Sequence, residues 1–209
     1  MVMWTGGAVA LGAEVPLGGE AGGWRCAAPR AEIAPRFEWN AMRREWRIRA
    51  DDCESRSGWW WRQMAVTGGQ CYAFRVRALP RNVTNTLRSV VARLIWQAAD
   101  GQRARLDPPL YTPRVVTDRP ASEPEHPVEA DRSPDGWLEL RGVYATPSNA
   151  AAAVVELHLR WAPGGEVAWR DAELTPVPPL PPRIVRVAAV HCGPWPGATS
   201  RTSLRSSRR

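Results

Sequence analysis

From Trp24 onward apolar and polar side chains alternate. Tyr72, Phe74 and Val76 hold every second position while Ala73, Arg75 and Arg77 hold the others. In an extended strand that period of two turns one set to a core and the other to water. Val155, Leu157, Leu159 and Trp161 alternate with Glu156, His158 and Arg160, which predicts the clearest amphipathic strand of the chain, with Trp161 in register with its core face. In 89–96, Val90, Ala92, Leu94 and Trp96 share one face, yet Val91 and Ile95 stand opposite beside Arg93, the pattern of a strand covered on both sides. Further strands are expected at 37–39, 45–50, 59–66, 137–144 and 167–174, with turns at Gly68-Gly69, Asp100-Gly101, Asp135-Gly136 and Gly164-Gly165. Helical periodicity is almost absent, and evenly spaced short strands predict an all-β sandwich or barrel.

Two stretches interrupt the alternation. Residues 107–134 are rich in Pro, Asp and Glu and predict a long surface loop. Residues 176–182 hold five prolines in seven positions, which favours a stiff extended linker over a strand or helix. The organisation expected is a β-sandwich over 23–177, a Pro-rich linker over 178–183, an orphan apolar strand over 184–192, and a disordered Ser/Arg tail over 193–209. Residues 1–22 are small and weakly apolar, a disordered or mis-started N-terminus. They lack the basic and continuous apolar regions of a signal peptide, and the compartment stays open. No apolar run is long enough to span a bilayer.

The formal charge of +7 over 209 residues would ordinarily raise nucleic acid as a partner. Here every one of the 28 basic residues is arginine, and the cations are spread along the chain rather than clustered, so neither nucleic acid nor a membrane is expected. Cys26, Cys53, Cys71 and Cys192 show no paired spacing suited to zinc or redox work. Buried free thiols are expected, and one disulfide among the first three stays open.

The block Gly23-Trp24, Ala28-Pro29-Arg30, Ile33-Ala34-Pro35, Ala50-Asp51-Asp52, Gly58-Trp59-Trp60, Gly68-Gly69, Tyr72, Arg88-Ser89-Val90-Val91, Glu156-Leu157-His158-Leu159 and Trp161-Ala162-Pro163-Gly164-Gly165 resembles the N-terminal β-sandwich region that precedes the hydrolase domain in bacterial carbon-nitrogen hydrolases. That region is similar to carbohydrate-binding, galactose-binding-like jelly rolls. Residues 182–191, Pro-Arg-Ile-Val-Arg-Val-Ala-Ala-Val-His, resemble the opening strand of the nitrilase superfamily domain. The resemblance implies a jelly-roll fold, a carbohydrate ligand and an intramolecular hydrolase partner in an intact parent. It also implies a Cys, Glu and Lys triad, which this chain cannot assemble because it contains no lysine. Cys192 falls too early to be that family's nucleophile. No catalytic residue is expected and no organic cofactor is called for. The alternatives are a structural or oligomerisation sandwich without ligand, or the front fragment of an active nitrilase or amidase.

Twelve tryptophans invite a sugar-binding reading, because an indole stacks on the apolar face of a pyranose. Trp59, Trp60 and Trp61 alternate across one strand, so at least one should leave the core, and these three are the candidate ligand contacts. Asp51 and Asp52, with Glu54 nearby, offer hard oxygen ligands for a structural calcium ion; a solvated turn is the alternative. His158 on a polar strand face and His126 in the acidic loop are expected in solvent. Glu123, Glu125 and Glu129 read as a polar loop rather than a glycosidase pair.

Overall fold

The computed structural model describes residues 13–15, 21–108 and 120–181. Among them lie eleven strands: β1 (Ala13–Val15), β2 (Arg25–Ala28), β3 (Arg36–Asn40), β4 (Glu45–Arg49), β5 (Ser57–Ala65), β6 (Cys71–Arg81), β7 (Val90–Ala98), β8 (Val128–Arg132), β9 (Leu138–Ala145), β10 (Ala150–Arg160) and β11 (Glu166–Val177). A 3-10 turn at Ala31–Ile33 and one helical turn, α1 (Thr86–Ser89), are the only helical pieces among the described residues. The strands form two antiparallel sheets, β1-β2-β5-β10-β7 and β3-β4-β11-β6-β9-β8. Successive strands change sheet at every step except β1 to β2, β3 to β4 and β8 to β9, which makes the molecule a β-sandwich of jelly-roll type.

The alternation of β6 and β10 produces the space between the sheets. Phe74 and Val76 from one sheet and Leu157 and Val155 from the other are each 0% exposed, with Trp60, Trp169 and Ile48 among them. Each such side chain contributes about 1.5–3 kcal/mol relative to leaving it in water. Two indoles of this core find carbonyls: Trp60 Nε1 donates to Arg47 O at 3.1 Å and Trp46 Nε1 to Ala21 O at 2.9 Å.

Several expectations need correction. Trp161 is not in the core but 45% exposed, because β10 ends at Arg160 and Trp161 turns to a φ of 54°, which breaks the alternation. The loop expected over 107–134 contains β8, paired with β9, and Glu125 bridges to Leu94 at the β7 edge. Pro176 belongs to β11, opposite Tyr72. Among the described residues β4 pairs only with 166–169 of β11, so no described strand lies along the other flank of its second half, where a missing N–H is tolerated. β1 pairs with β2, so the five-stranded sheet begins upstream of Gly23. Cys26 and Cys71 are buried thiols, but the Cys53 thiol is exposed. The expected orphan strand, Ser/Arg tail and Cys192 lie outside the described residues.

Candidate functional site

Consecutive positions of β5 send Trp60 to one face of its sheet and Trp59 and Trp61 to the other. Trp60 lies between the sheets, fully buried. Trp59 and Trp61 leave that core as the alternation requires, yet they are only 3% and 6% exposed. They join Ala27, Ile95 and Val154 in a second apolar cluster on the outer face of the five-stranded sheet. Trp59, Trp60 and Trp61, the expected ligand contacts, are thus all buried.

The outer cluster has a charged neighbour. Glu156, 0% exposed, accepts from Arg93 Nε and lies 3.0 Å from His158 Nε2. His158, expected in solvent, is buried, its ring 5.1 Å from that of Trp59. Burial pushes the His158 imidazole down, against the opposing pull of Glu156. Burial pushes the Glu156 carboxyl up, but the hydrogen bonds and charges of His158 and Arg93 outweigh it and hold the group below its ordinary value. A buried carboxylate needs such partners to stay ionised. His126, also expected in solvent, is exposed as expected.

Asp51 and Asp52 do not fit the expected calcium ion. Both Asp51 oxygens are already held by one guanidinium, with Arg56 Nε donating to Oδ1 at 2.8 Å and Arg56 Nη2 to Oδ2 at 2.6 Å. Those hydrogen bonds, with a further one from Cys53 N, hold the carboxyl down at about 2. Among the described residues no three His, Cys, Asp or Glu side chains gather to hold a metal. Asp51 clamps the turn: its backbone O also accepts from Gly164 N at 2.8 Å.

An open concavity lies on the outer face of the other sheet. Arg75, Arg77, Asp131, Ser133, Trp137, Glu139, Asp171 and Glu173 line a groove of ≈ 370 Å³. Register brings them together: Arg77 pairs with Glu139 across β6 and β9, and Arg75 with Glu173 across β6 and β11. The pairing of β11 with β6 slips between Arg170 and Glu173, and Asp171 there adopts a φ of 55°. This bulge bends the strand and re-aims its side chains, adding Asp171 to the groove wall. Arg75 Nη2 sits 2.9 Å from Glu173 Oε2. Trp137 forms the floor, with the Arg170 guanidinium carbon 3.9 Å and that of Arg77 5.5 Å from its ring centroid.

Four carboxylates therefore face two arginines of the lining, with Arg170 set over the indole. Negative groups outnumber positive ones in the groove although the whole chain carries +7, so the groove repels polyphosphates that the net charge alone would attract. What it offers is a dense array of paired donors and acceptors around one aromatic ring. Sequence reasoning missed this site. The polar faces of β6 and β9 were visible as alternation, but which arginine meets which carboxylate depends on register, and the bulge at Asp171 leaves no pattern.

No protein-family model matches the chain, and no curated protein matches it. Among solved structures it is similar to the enzymatically active domain of tailspike protein 4 from bacteriophage CBA120, at 8% identity and a TM-score of 0.48, over 76% of this chain and 20% of that one. The chain thus spans about a fifth of the tailspike's length. It is also similar to a Family 16 carbohydrate-binding module, at 10% identity and a TM-score of 0.40, over 63% and 75% of the two chains. A CBM4 structure gives 13% identity and a TM-score of 0.39, over 68% and 76%. Each likeness is remote, and none bears on what this chain binds. Among the described residues no helix is long and apolar enough to cross a membrane.

Proposed function

We propose that this chain is a non-catalytic, carbohydrate-binding-like accessory module, and that its ligand face is the groove around Trp137. The observation that supports the reading is the composition of that groove. A sugar presents hydroxyls that donate and accept in pairs, and planar carboxylates and guanidiniums fixed on neighbouring strands match that need. Asp131, Glu139, Asp171 and Glu173 accept and Arg75 and Arg77 donate, while Trp137, only 5% exposed, holds the Arg170 and Arg77 guanidiniums against its ring. The excess of carboxylates favours a neutral polyhydroxylated ligand over an acidic one. Attachment of the module to a carbon-nitrogen hydrolase domain rests on sequence resemblance alone, that of the motifs between Gly23 and Gly165 and of residues 182–191.

The test is a glycan-array screen of the full chain followed by titration calorimetry on any hit, with Arg77→Ala and Glu139→Gln alongside and circular dichroism as a folding control. Saturable binding to a neutral glycan, weakened at least tenfold in either folded variant, is the expected result. Binding that both variants keep unchanged would move the site elsewhere. A folded chain silent on all glycans would leave a structural sandwich as the better reading.

A further inference from the structure

β7 and β8 are edge strands of the two sheets, and beside the first half of β7 the space between the sheets opens to the surface. Along β9 the alternation sends Glu139 to the groove around Trp137 and sends Leu138 and Leu140 the other way, into this opening. With Val90 and Ala92 of β7 they back a cleft of ≈ 260 Å³. Leu87 of α1 and Val128 of β8 also line it, and they are 82% and 67% exposed. Single apolar side chains on a surface need no account, but two that border one recess backed by core aliphatics make a continuous apolar patch. The cleft is smaller than the sites of drug-sized ligands, which run about 300–1,000 Å³, so it suits a small ligand.

The polar wall of the cleft is cationic and lacks a counter-charge. Arg160 lines it and donates through Nε to Arg88 O at 3.1 Å. Among the described residues neither Arg160 nor Arg88 forms an ion pair. Their guanidinium carbons lie instead 4.8 and 5.0 Å from the centroid of the Trp161 ring. Burial, and then the like charges of Arg93 and Arg88, lower the Arg160 guanidinium from its ordinary 12.5. Partial desolvation and the charges of Arg93 and Arg160 lower His126 on the same wall. The nearby carboxylates are already matched. Glu129, the one acidic group of the described lining, lies 3.0 Å from Arg132, and Glu156 is held by Arg93 and His158. Cations crowded together without a counter-charge favour an anion at the same place.

We propose that this cleft binds a small monocarboxylate with an apolar tail, the head group on Arg160 beside Arg88 and the tail between Leu87 and Val128 against Leu138 and Leu140. Arg160 uses only Nε within the described fold, which leaves its Nη groups to meet a carboxylate by parallel hydrogen bonds. The site is separate from the groove around Trp137, with which it shares no described lining residue. It therefore stands whether or not that groove takes a glycan.

Titration calorimetry of the full chain with sodium octanoate tests the proposal, with hexanoate, octanol and octylammonium alongside and circular dichroism as the folding control. Octanoate should bind saturably. Hexanoate, two methylenes shorter, should bind about sixteenfold more weakly, at about 0.8 kcal/mol per buried methylene. Arg160→Gln and Leu87→Asp should each weaken octanoate at least tenfold, while Arg77→Ala, in the groove, leaves it unchanged. Should Arg160→Gln misfold, Val128→Asp on the wet strand β8 takes its place, with the same loss expected. Absence of saturable octanoate binding, octanol or octylammonium binding as tightly as octanoate, affinity unmoved in the folded cleft variants, or a loss in Arg77→Ala instead would overturn it. So would a dimer in sedimentation that Leu87→Asp abolishes, which would assign the patch to a second copy.

Discussion

The His158 imidazole lies against the Trp59 indole, ring centroids 5.1 Å apart and planes 30° from parallel, and is buried. Its Nε2 meets Glu156, and Arg93 and Arg160 face the same cluster. Because burial lowers the imidazole below its ordinary 6.5, the unfolded chain binds the proton more readily than the folded one. Stability from this group is full above that value and falls as pH drops below it. The urea midpoint should therefore decline between pH 7 and 5, and His158→Gln should flatten the decline, leaving the smaller share of His126, which is lowered in the same direction. A slope equal in both proteins would refute the assignment.

Arg93→Ala removes a partner from a carboxylate that is 0% exposed. Breaking a buried ion pair on one side costs about 3–5 kcal/mol; the partial exposure of Arg93 and the remaining His158 contact place this case at the low end. Chemical denaturation should show a loss of about 3 kcal/mol, and Glu156→Gln in the Arg93→Ala background should recover part of it. A loss below about 0.5 kcal/mol, the level of ordinary surface changes, would mean that water reaches Glu156.

Asp51 offers a separate acid signature. Held down at about 2 by Arg56, its carboxylate stabilises the fold above its ordinary 3.8 and loses that effect as pH falls toward the folded value. In Arg56→Ala the carboxyl should titrate close to 3.8, as read by carbon-detected NMR of the side chain. A resonance that still titrates near 2 would show that backbone donors, not Arg56, set the value.

Two tryptophans of similar sequence context should respond in opposite ways. Trp60→Ala empties a fully buried site and should cost about 3–5 kcal/mol. Trp161→Ala removes an indole that is 45% exposed and flanked by Arg88 and Arg160, and should cost less than about 1 kcal/mol. Thermal unfolding of the two variants side by side checks the contrast, and equal losses would contradict the placement of Trp161.

Gly68 has no room for a side chain. A Cβ there would stand 2.2 Å from Ser148 O and 2.9 Å from Ala150 O, both backbone atoms. Gly68→Ala should therefore lower stability by about 1–3 kcal/mol, the range of overpacked sites, measurable by urea denaturation. At Gly69 a Cβ would meet nothing within 4 Å, but the φ of 76° means that a side chain there should suffer from backbone strain alone.

The strands legible in the sequence were those with one wet face, because solvent on one side writes an alternation. β6 announced itself this way through Phe74 and Val76, whereas β10 alternates Leu157 and Leu159 with Glu156 and His158 although both of its faces are dry. β2, with Cys26, Ala27 and Ala28 all buried, carries no alternation, and β8, with every residue exposed, has no apolar face to show. Trp59, Trp60 and Trp61 were correctly expected on opposite faces. That the second face is also dry depends on what lies above it, which no period within β5 records. His158 illustrates the same limit: a polar residue on the outer side of a strand reads as solvated unless the layer above is known. The groove at Trp137 was hidden for a different reason, since it is assembled from β6, β8, β9 and β11 by register and by one bulge.

The place of β11 sets an order on folding. It is the last strand of the described chain, yet it lies in the middle of its sheet, between β4 and β6. Until it arrives, β3 and β4 form one ribbon and β6, β9 and β8 another, with two unpaired inner edges and the side of Phe74 and Ile48 without the Trp169 indole. A ribosome releasing this chain from its N-terminus must therefore finish residue 177 before the six-stranded sheet can close. Pairings this distant in sequence close slowly, on the order of milliseconds to seconds. During that interval the open edges of β4 and β6 are the surfaces most prone to pairing with another copy.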